Sequence, residues 1–385
     1  MPTNFQIDGK SFDDFFIRKD LFSQGGLWTF GSNSVGQLGD NTIVNKSSPV
    51  QTVSGGTNWK QVACGQSTTA AIKTDGTLWL WAGNGFGSLG DNTTDSKSSP
   101  VQTVSGGTNW KQVSVGYINC AAIKTDGTLW TWGHNNYGQL ADNTRNMTSS
   151  PIQTVAAGTN WKMVFSGYYS CAAIKTDGTL WTWGDTSFGA LGDNTTVNKS
   201  SPVQTVSGGK NWKQVAVGLL YTAAIKTDGT LWTWGRNNYG QLGDNTTDDK
   251  SSPIQTISGG TSWKQVSVIE SSNHVTAIKT DGTLWTWGQN TTFGALGDNT
   301  IVNKSSPVQT VAGGTNWKMV ASGRYFSSAI KTDGTLWTWG NGASGQLGDN
   351  TITYKSSPIQ TVAGGTNWKM VAAGGGTFAI REDFY

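Results

Sequence analysis

Residues 49–82 read PVQTVSGGTNWKQVACGQSTTAAIKTDGTLWLWA. The stretch divides into four short strand-like runs. Pro49-Val50-Gln51-Thr52-Val53 opens on a proline, which suits the first residue of a strand. Gly55-Gly56-Thr57-Asn58 is a turn, and Trp59-Lys60-Gln61-Val62-Ala63 forms a second strand. Ala70-Ala71-Ile72-Lys73 and Thr77-Leu78-Trp79-Leu80-Trp81 are the third and fourth. They are joined through Asp75-Gly76, a pair that favours a two-residue hairpin turn with positive φ. Leu and Trp alternate along the fourth run, so both of its faces are apolar. A sheet apolar on both faces must lie between two others, as a propeller blade does.

The unit recurs along the chain. Leu-Trp places a tryptophan at 28, 79, 130, 181, 232, 285 and 337, with successive spacings of 51, 51, 51, 51, 53 and 52. Trp-Lys places another at 59, 110, 161, 212, 263, 317 and 368. A third falls at 81, 132, 183, 234, 287 and 339, and Phe30 takes its place in the first copy. These positions absorb all 20 tryptophans, which marks them as core. Each buries roughly 150–250 Å². The ends of the chain are complementary. Leu27-Trp28-Thr29-Phe30-Gly31 arrives without the strands that precede it elsewhere, and Phe378-Ala379-Ile380-Arg381-Glu382 stops where a Leu-Trp strand is due. Joining the two removes two exposed sheet edges. The expected fold is all-β: a closed seven-bladed β-propeller of four-stranded blades over residues 25–385, its last blade completed by the N-terminal strand. Residues 1–24 form a separate leader.

Composition narrows the function. Glycine is 52 of 385 residues, charged residues are 13%, and the formal net charge is +3. Lysines recur at fixed repeat positions such as Lys60, Lys73 and Lys97, which spreads them around the ring. A nucleic-acid binder would concentrate them in a stripe, so none is expected. Cys64, Cys120 and Cys171 are odd in number and lack a C-x-x-C spacing, so they read as core thiols rather than a disulfide or zinc set. No run of 18 apolar residues offers a membrane span. The N-terminus MPTNFQIDGK lacks the apolar stretch of a signal peptide.

The run Trp234-Gly235-Arg236-Asn237-Asn238-Tyr239-Gly240-Gln241-Leu242-Gly243 is followed by P-[VI]-Q-T-[VI], W-K-Q-V and A-A-I-K-T-D-G motifs in most copies. This pattern resembles the regulator of chromosome condensation repeat, over residues 26–382. The resemblance implies a seven-bladed propeller, in agreement with the independent count. It implies no single function, because the family includes a chromatin-bound guanine nucleotide exchange factor and a secreted β-lactamase inhibitor. Members often carry a histidine after the glycine of the third-strand loop. Here only His274 falls near that place, so exchange activity is not carried over. The near-identical copies and the leader FQIDGKSFDDFFIRKDLFSQGG also resemble propeller proteins of marine bacteriophages. That would imply a virion component such as a fibre, spike or surface decoration.

Catalysis has little material. His134 and His274 lie in different repeats, and nearly all carboxylates are repeat-phase residues. No enzyme, metal or cofactor is expected. The aspartates of L-G-D-N-T (Asp40, Asp91, Asp193, Asp244, Asp298, Asp349, and Asp142 after Ala141) read as side-chain-to-backbone turns. The copies differ in two loops, one after the Trp-Lys strand and one after W-G, and both insertions fall there. In an up-and-down blade these loops share one rim, whereas the uniform G-G-T-N and D-G turns share the other. Loops on a rigid scaffold are the usual place for recognition. The candidate binding residues are Tyr117, Tyr168, Tyr169, Leu220, Tyr221, Arg324, Tyr325 and Phe326. Phe86, Tyr137, Phe188, Tyr239 and Phe293 share one phase and read as packing. In the leader, Phe5, Phe12, Phe15, Phe16 and Phe22 are candidate docking residues. The expected function is a non-enzymatic virion protein of a bacteriophage, anchored by its leader in a multicopy assembly. It would recognise a partner or a host surface protein or glycan through the varied rim. The alternative is an intracellular interaction scaffold or exchange-factor-like regulator.

Overall fold

A computed structural model describes residues 25–382 except Ala157. These residues form seven four-stranded antiparallel sheets. In the first blade the strands are Trp59–Cys64, Thr68–Lys73, Leu78–Ala82 and Lys97–Gln102, running from the axis outward. The inner strands of blades 2 to 6 are Trp110–Val115, Trp161–Ser166, Trp212–Val217, Trp263–Ser267 and Trp317–Ser322. Blade 7 begins with Trp368–Ala373.

The sheet is thus offset by one strand from the unit suggested by the sequence. The P-V-Q strand does not open the blade of the Trp-Lys strand that follows it. Instead Lys46–Gln51 pairs with Gly26–Gly31, in the register Trp28 with Gln51 and Thr29 with Val50. Beyond Gln51, the Thr52 N–H donates to the Leu27 carbonyl, and the G-G-T-N turn then carries the chain to the next blade. Pro49 falls where the register slips on an outermost strand, so its missing N–H costs no ladder bond.

Ring closure follows from this offset. Gly26–Gly31 pairs with Gly376–Arg381, Leu27 opposite Ile380 and Phe30 opposite Thr377. The N-terminal strand completes the last blade as expected, and the strand after it joins too. Blade 7 therefore takes two strands from each end of the chain, in the order Trp368–Ala373, Gly376–Arg381, Gly26–Gly31, Lys46–Gln51.

The core lies between blades. Trp59 and Trp81 are fully buried with ring centroids 6.3 Å apart, and Trp110 with Trp132 repeats the pair. The Trp81 and Trp132 indoles donate to the carbonyls of Gln37 and Ser88 in the preceding loops, at 2.7 and 2.8 Å. Apolar burial and blade-to-blade hydrogen bonding thus come from one side chain. Glutamines seal the inner edge. The Gln112 amide donates to the Val164 carbonyl at 3.0 Å and accepts from its N–H at 3.1 Å; Gln61, Gln214 and Gln265 do the same toward Val113, Val266 and Val320. The three cysteines are free and buried, as expected.

Candidate binding rim

Within six blades the two varied loops are tied together. The N–H groups of Gly83, His134, Asp185, Arg236, Gln289 and Asn341 donate to the carbonyls of Ser67, Ile118, Tyr169, Leu220, Asn273 and Tyr325. On the other rim, the Thr74 N–H donates to Asn58, and the Trp110 N–H to Gly76. The division into a varied and a uniform rim therefore holds in three dimensions.

Buried asparagines fix the longer loop. Asn135 accepts from the Leu140 N–H at 2.9 Å and donates to Asp142 at 3.0 Å, and Asn33 repeats this with Leu38 and Asp40. Asp40 also accepts from the Thr42 N–H at 3.0 Å and the Thr42 hydroxyl at 2.7 Å, the side-chain turn expected for L-G-D-N-T. Lys46 lies 3.4 Å from the same carboxylate.

On this frame the rings of three blades meet. Phe86 packs edge-on against His134 at 5.0 Å, and His134 lies 6.0 Å from Tyr169. Tyr169 stacks on Tyr137 at 4.5 Å and meets Tyr168 edge-on at 4.3 Å; Tyr168 stacks on Tyr117 at 4.2 Å. Burial, then the hydroxyls of Tyr169 and Tyr117, push the Tyr168 phenol well above its ordinary value. Burial lowers the His134 pKa, and its Nδ1 lies 2.9 Å from the Gln139 amide nitrogen, which donates to it. The run presents polar tips on apolar bodies. Across the ring, Phe293 lies 5.2 Å from Tyr325 and 5.1 Å from Tyr354, while Arg324 stands 5.2 Å from the Tyr325 ring.

The structure redraws the candidate set. Tyr117, Tyr168, Tyr169, Arg324 and Tyr325 belong to these two patches. Tyr221 and Phe326 do not, for they are 0% and 1% exposed. Each opens the second strand of its blade, where the side chain turns toward the neighbouring blade; Tyr221 donates its hydroxyl to the His274 carbonyl at 2.9 Å. Leu220 is half-buried and holds the turn at φ 63°, its N–H donating to Gly218. Of the phase-sharing aromatics expected as packing, Tyr137, Tyr239 and Phe293 are half-buried, whereas Phe86 and Phe188 are 41% and 47% exposed. The adjacent glycine makes the close contact instead. A Cβ on Gly87, at φ +76°, would stand 2.5 Å from Ser149 Cα on the next blade. His134 and Tyr354 were not singled out by sequence as binding residues, although neither has an aromatic equivalent in most repeats. The leader residues Phe5, Phe12, Phe15, Phe16 and Phe22 lie outside the described residues.

His274 is enclosed in the core, 1% exposed. Its Nε2 lies 3.0 Å from the Ser327 hydroxyl, which itself donates to the Ala295 carbonyl, so the imidazole must be the donor. Burial pushes its pKa down to about 4.

The described residues form a seven-bladed propeller with one uniform rim and one varied, aromatic-bearing rim. Family comparison places it further. The RCC1-like domain model matches residues 21–293, and regulator of chromosome condensation (RCC1) repeat models match residues 281–330, 333–380 and 318–346. The chain belongs to the RCC1-like propeller family. It is 31% identical over 338 residues to the ultraviolet-B receptor UVR8 of Arabidopsis thaliana, covering 83% of this chain and 74% of the receptor. It is 28% identical over 346 residues to the human E3 ubiquitin-protein ligase HERC2, covering 87% of this chain but only 7% of the ligase. Among solved structures, Prp20p from Saccharomyces cerevisiae superposes with a TM-score of 0.82 at 17% identity, covering 96% of this chain and 93% of that one. Human WBSCR16 gives 0.80 at 19% identity, covering 94% and 100%.

Proposed function

We propose that the chain is a non-enzymatic interaction scaffold that holds a partner protein on its varied rim. The carrying observation is the unbroken run of rings from Phe86 to Tyr117 across three blades on that rim. Tyrosine and arginine dominate protein-interface hot spots because they add area with a polar tip. The relatives support a scaffold rather than a virion component. UVR8 is a receptor, HERC2 a ligase of which the matched part is a small share, and Prp20p is described with binding to Gsp1p and histones. Recovery of partners from the source cells tests the reading. The full chain should retain a protein that Tyr117→Ala/Tyr168→Ala/Tyr169→Ala loses, while Thr125→Ala/Thr227→Ala on the uniform rim keeps it. Loss through the uniform-rim changes with retention by the tyrosine variant would refute it.

A further inference from the structure

Asparagine followed by glycine occurs twice, at Asn84-Gly85 and Asn341-Gly342, both in the longer loop of the varied rim. The pair is chemically labile, because glycine has no side chain to shield its nitrogen from the preceding carboxamide. The two copies fall at different phases of the loop, and the fold treats them oppositely. Asn84 is one of the buried asparagines that fix the loop. Its oxygen accepts from the Leu89 N–H at 2.8 Å. Its amide donates to Asp91 and to the Thr93 and Asp95 carbonyls, each at 3.1 Å. The carboxamide cannot turn to Gly85 without breaking these bonds.

In blade 6 the pair is shifted by one residue, so that Gly342 takes the place of the fixing asparagine. In five blades the N–H at this place donates to a side-chain oxygen later in the loop, as from Asn33 to Asn45 at 2.8 Å and from Asn237 to Asp249 at 2.7 Å. Tyr354 stands at the accepting position in blade 6 and packs on Phe293 instead. Among the described residues the Gly342 N–H therefore has no acceptor. Asn341 is half-buried, and its oxygen accepts from the Ala343 N–H at 2.9 Å. That turn folds the carboxamide back over the Gly342 peptide. The Asn341 amide nitrogen has no partner among the described residues. Attacking and leaving nitrogens are both released at Asn341-Gly342, whereas the leaving nitrogen is held at Asn84.

We propose that Asn341 is a site of spontaneous covalent modification, converted through a cyclic imide to isoaspartate and aspartate. The Gly342 nitrogen gives up its proton and attacks Asn341 Cγ, and the new C–N bond expels Nδ2 as ammonia. Water then opens the ring at either carbonyl, so that one water is consumed for each ammonia released. Either product places a carboxylate in a loop whose Asn341 N–H is tied to the Tyr325 carbonyl at 2.9 Å, beside the patch that carries Arg324. Isoaspartate also lengthens the backbone by a methylene. Room for it is scarce, since a Cβ on Gly342 would already stand 2.1 Å from the Thr353 carbonyl. The modification therefore charges and displaces one aromatic patch of the varied rim and leaves the Tyr117 and Tyr168 stack unchanged. The site does not depend on the partner-protein reading.

Peptide mapping by mass spectrometry of the full chain, kept folded in mildly alkaline buffer, tests the proposal. Isoaspartate is read separately, by methyl transfer from S-adenosylmethionine with an isoaspartate-specific methyltransferase. Asn341 should convert faster than Asn84 by roughly tenfold or more, since Asn84 must first break several hydrogen bonds. In the chain unfolded by urea the two rates should converge. Tyr354→Asn restores an acceptor for the Gly342 N–H and should slow conversion at Asn341 several-fold. Asn341→Gln should fold as the parent does and leave this peptide without methyl label. Conversion of Asn341 no faster than Asn84 in the folded chain overturns the site. A difference that persists in urea, or an unchanged rate in Tyr354→Asn, overturns the structural cause assigned to it.

Discussion

Glu270 in blade 5 accepts a hydrogen bond from the Gln66 N–H of blade 1 at 2.6 Å, spanning the propeller axis between blades that do not adjoin. The carboxyl is 1% exposed, and among the described residues its second oxygen has no hydrogen-bond partner. Burial is the main cause raising its pKa to about 8; the Gln66 hydrogen bond and the Arg324 charge oppose the shift. One non-repeat residue thus closes the varied end of the axial channel.

A pH dependence follows. Between the ordinary carboxyl value of 4.5 and about 8, the folded chain holds a proton at Glu270 that the unfolded chain releases. Stability therefore falls as pH rises through that window, with a limiting slope of about 1.4 kcal/mol per pH unit, and Glu270 adds no slope outside it. Glu270→Gln should flatten this part of the profile and raise the melting temperature at pH 8. Denaturant unfolding of both proteins from pH 5 to 9 measures it, and parallel profiles would contradict it.

The glutamine clasps predict an asymmetry. Gln112→Ala strands the Val164 N–H and carbonyl, and a buried polar group left without its partner costs about 1–3 kcal/mol. Gln112→Met should cost less, since Met163, Met319 and Met370 occupy the equivalent position, and Met319 Sδ stands 3.4 Å from the Val371 nitrogen. Chemical denaturation of the two variants gives the comparison.

Glycines on the two rims should respond differently. Gly138 has φ +86°, and a Cβ there would lie 2.6 Å from Ser200 Cα on the neighbouring blade, where backbone must move. Gly106 has φ +51° and open space around it. Gly106→Ala should cost only the left-handed backbone penalty of about 1–2 kcal/mol. Gly138→Ala should cost more and broaden the unfolding transition by loosening one blade contact.

The fold was legible because it repeats. Trp59 states a local preference that all seven copies restate, Trp81 and Asp75-Gly76 ones that six restate, and the complementary ends fixed closure. The blade boundary was not legible, since Pro49-Val50-Gln51 has the same strand character whichever neighbour it pairs with. That choice is made by the Thr52 hydrogen bond to Leu27 and by the turn after it. The rim was half legible. Variation located the loops, but burial within them depends on which way the first residue of the second strand points. That is how Tyr221 and Phe326 came to look like Tyr168. Glu270 was invisible as a partner of Gln66, because nothing local links residues 204 positions apart.

Closure can be tested by shortening. A chain beginning at Gly36 lacks Gly26–Gly31, so Gly376–Arg381 loses one of its two partner strands and Lys46–Gln51 its only one in the blade. Two edges then open in a ring that otherwise has none on its seam. The melting temperature should fall sharply against the full chain, and a value unchanged would argue for an open arc.

The rim prediction turns on two neighbouring classes of tyrosine. Tyr169 belongs to the ring run on the surface and is half-buried, whereas Tyr221 is enclosed and donates to His274. Tyr221→Phe should destabilise by about 1 kcal/mol through the lost hydrogen bond. Tyr221→Ala should cost about 3–5 kcal/mol, as for other large core truncations. Neither change should alter partner affinity once folded protein is compared at equal concentration. Tyr168→Ala/Tyr169→Ala should leave the melting temperature within a few degrees of the parent. Truncating a hot-spot aromatic costs about 2 kcal/mol or more of binding, so the pair should weaken partner binding at least thirtyfold. The two readouts, unfolding and partner affinity, must therefore separate along this boundary. If Tyr221→Phe weakens binding and the Tyr168/Tyr169 pair leaves it unchanged, the reading surface lies elsewhere on the propeller.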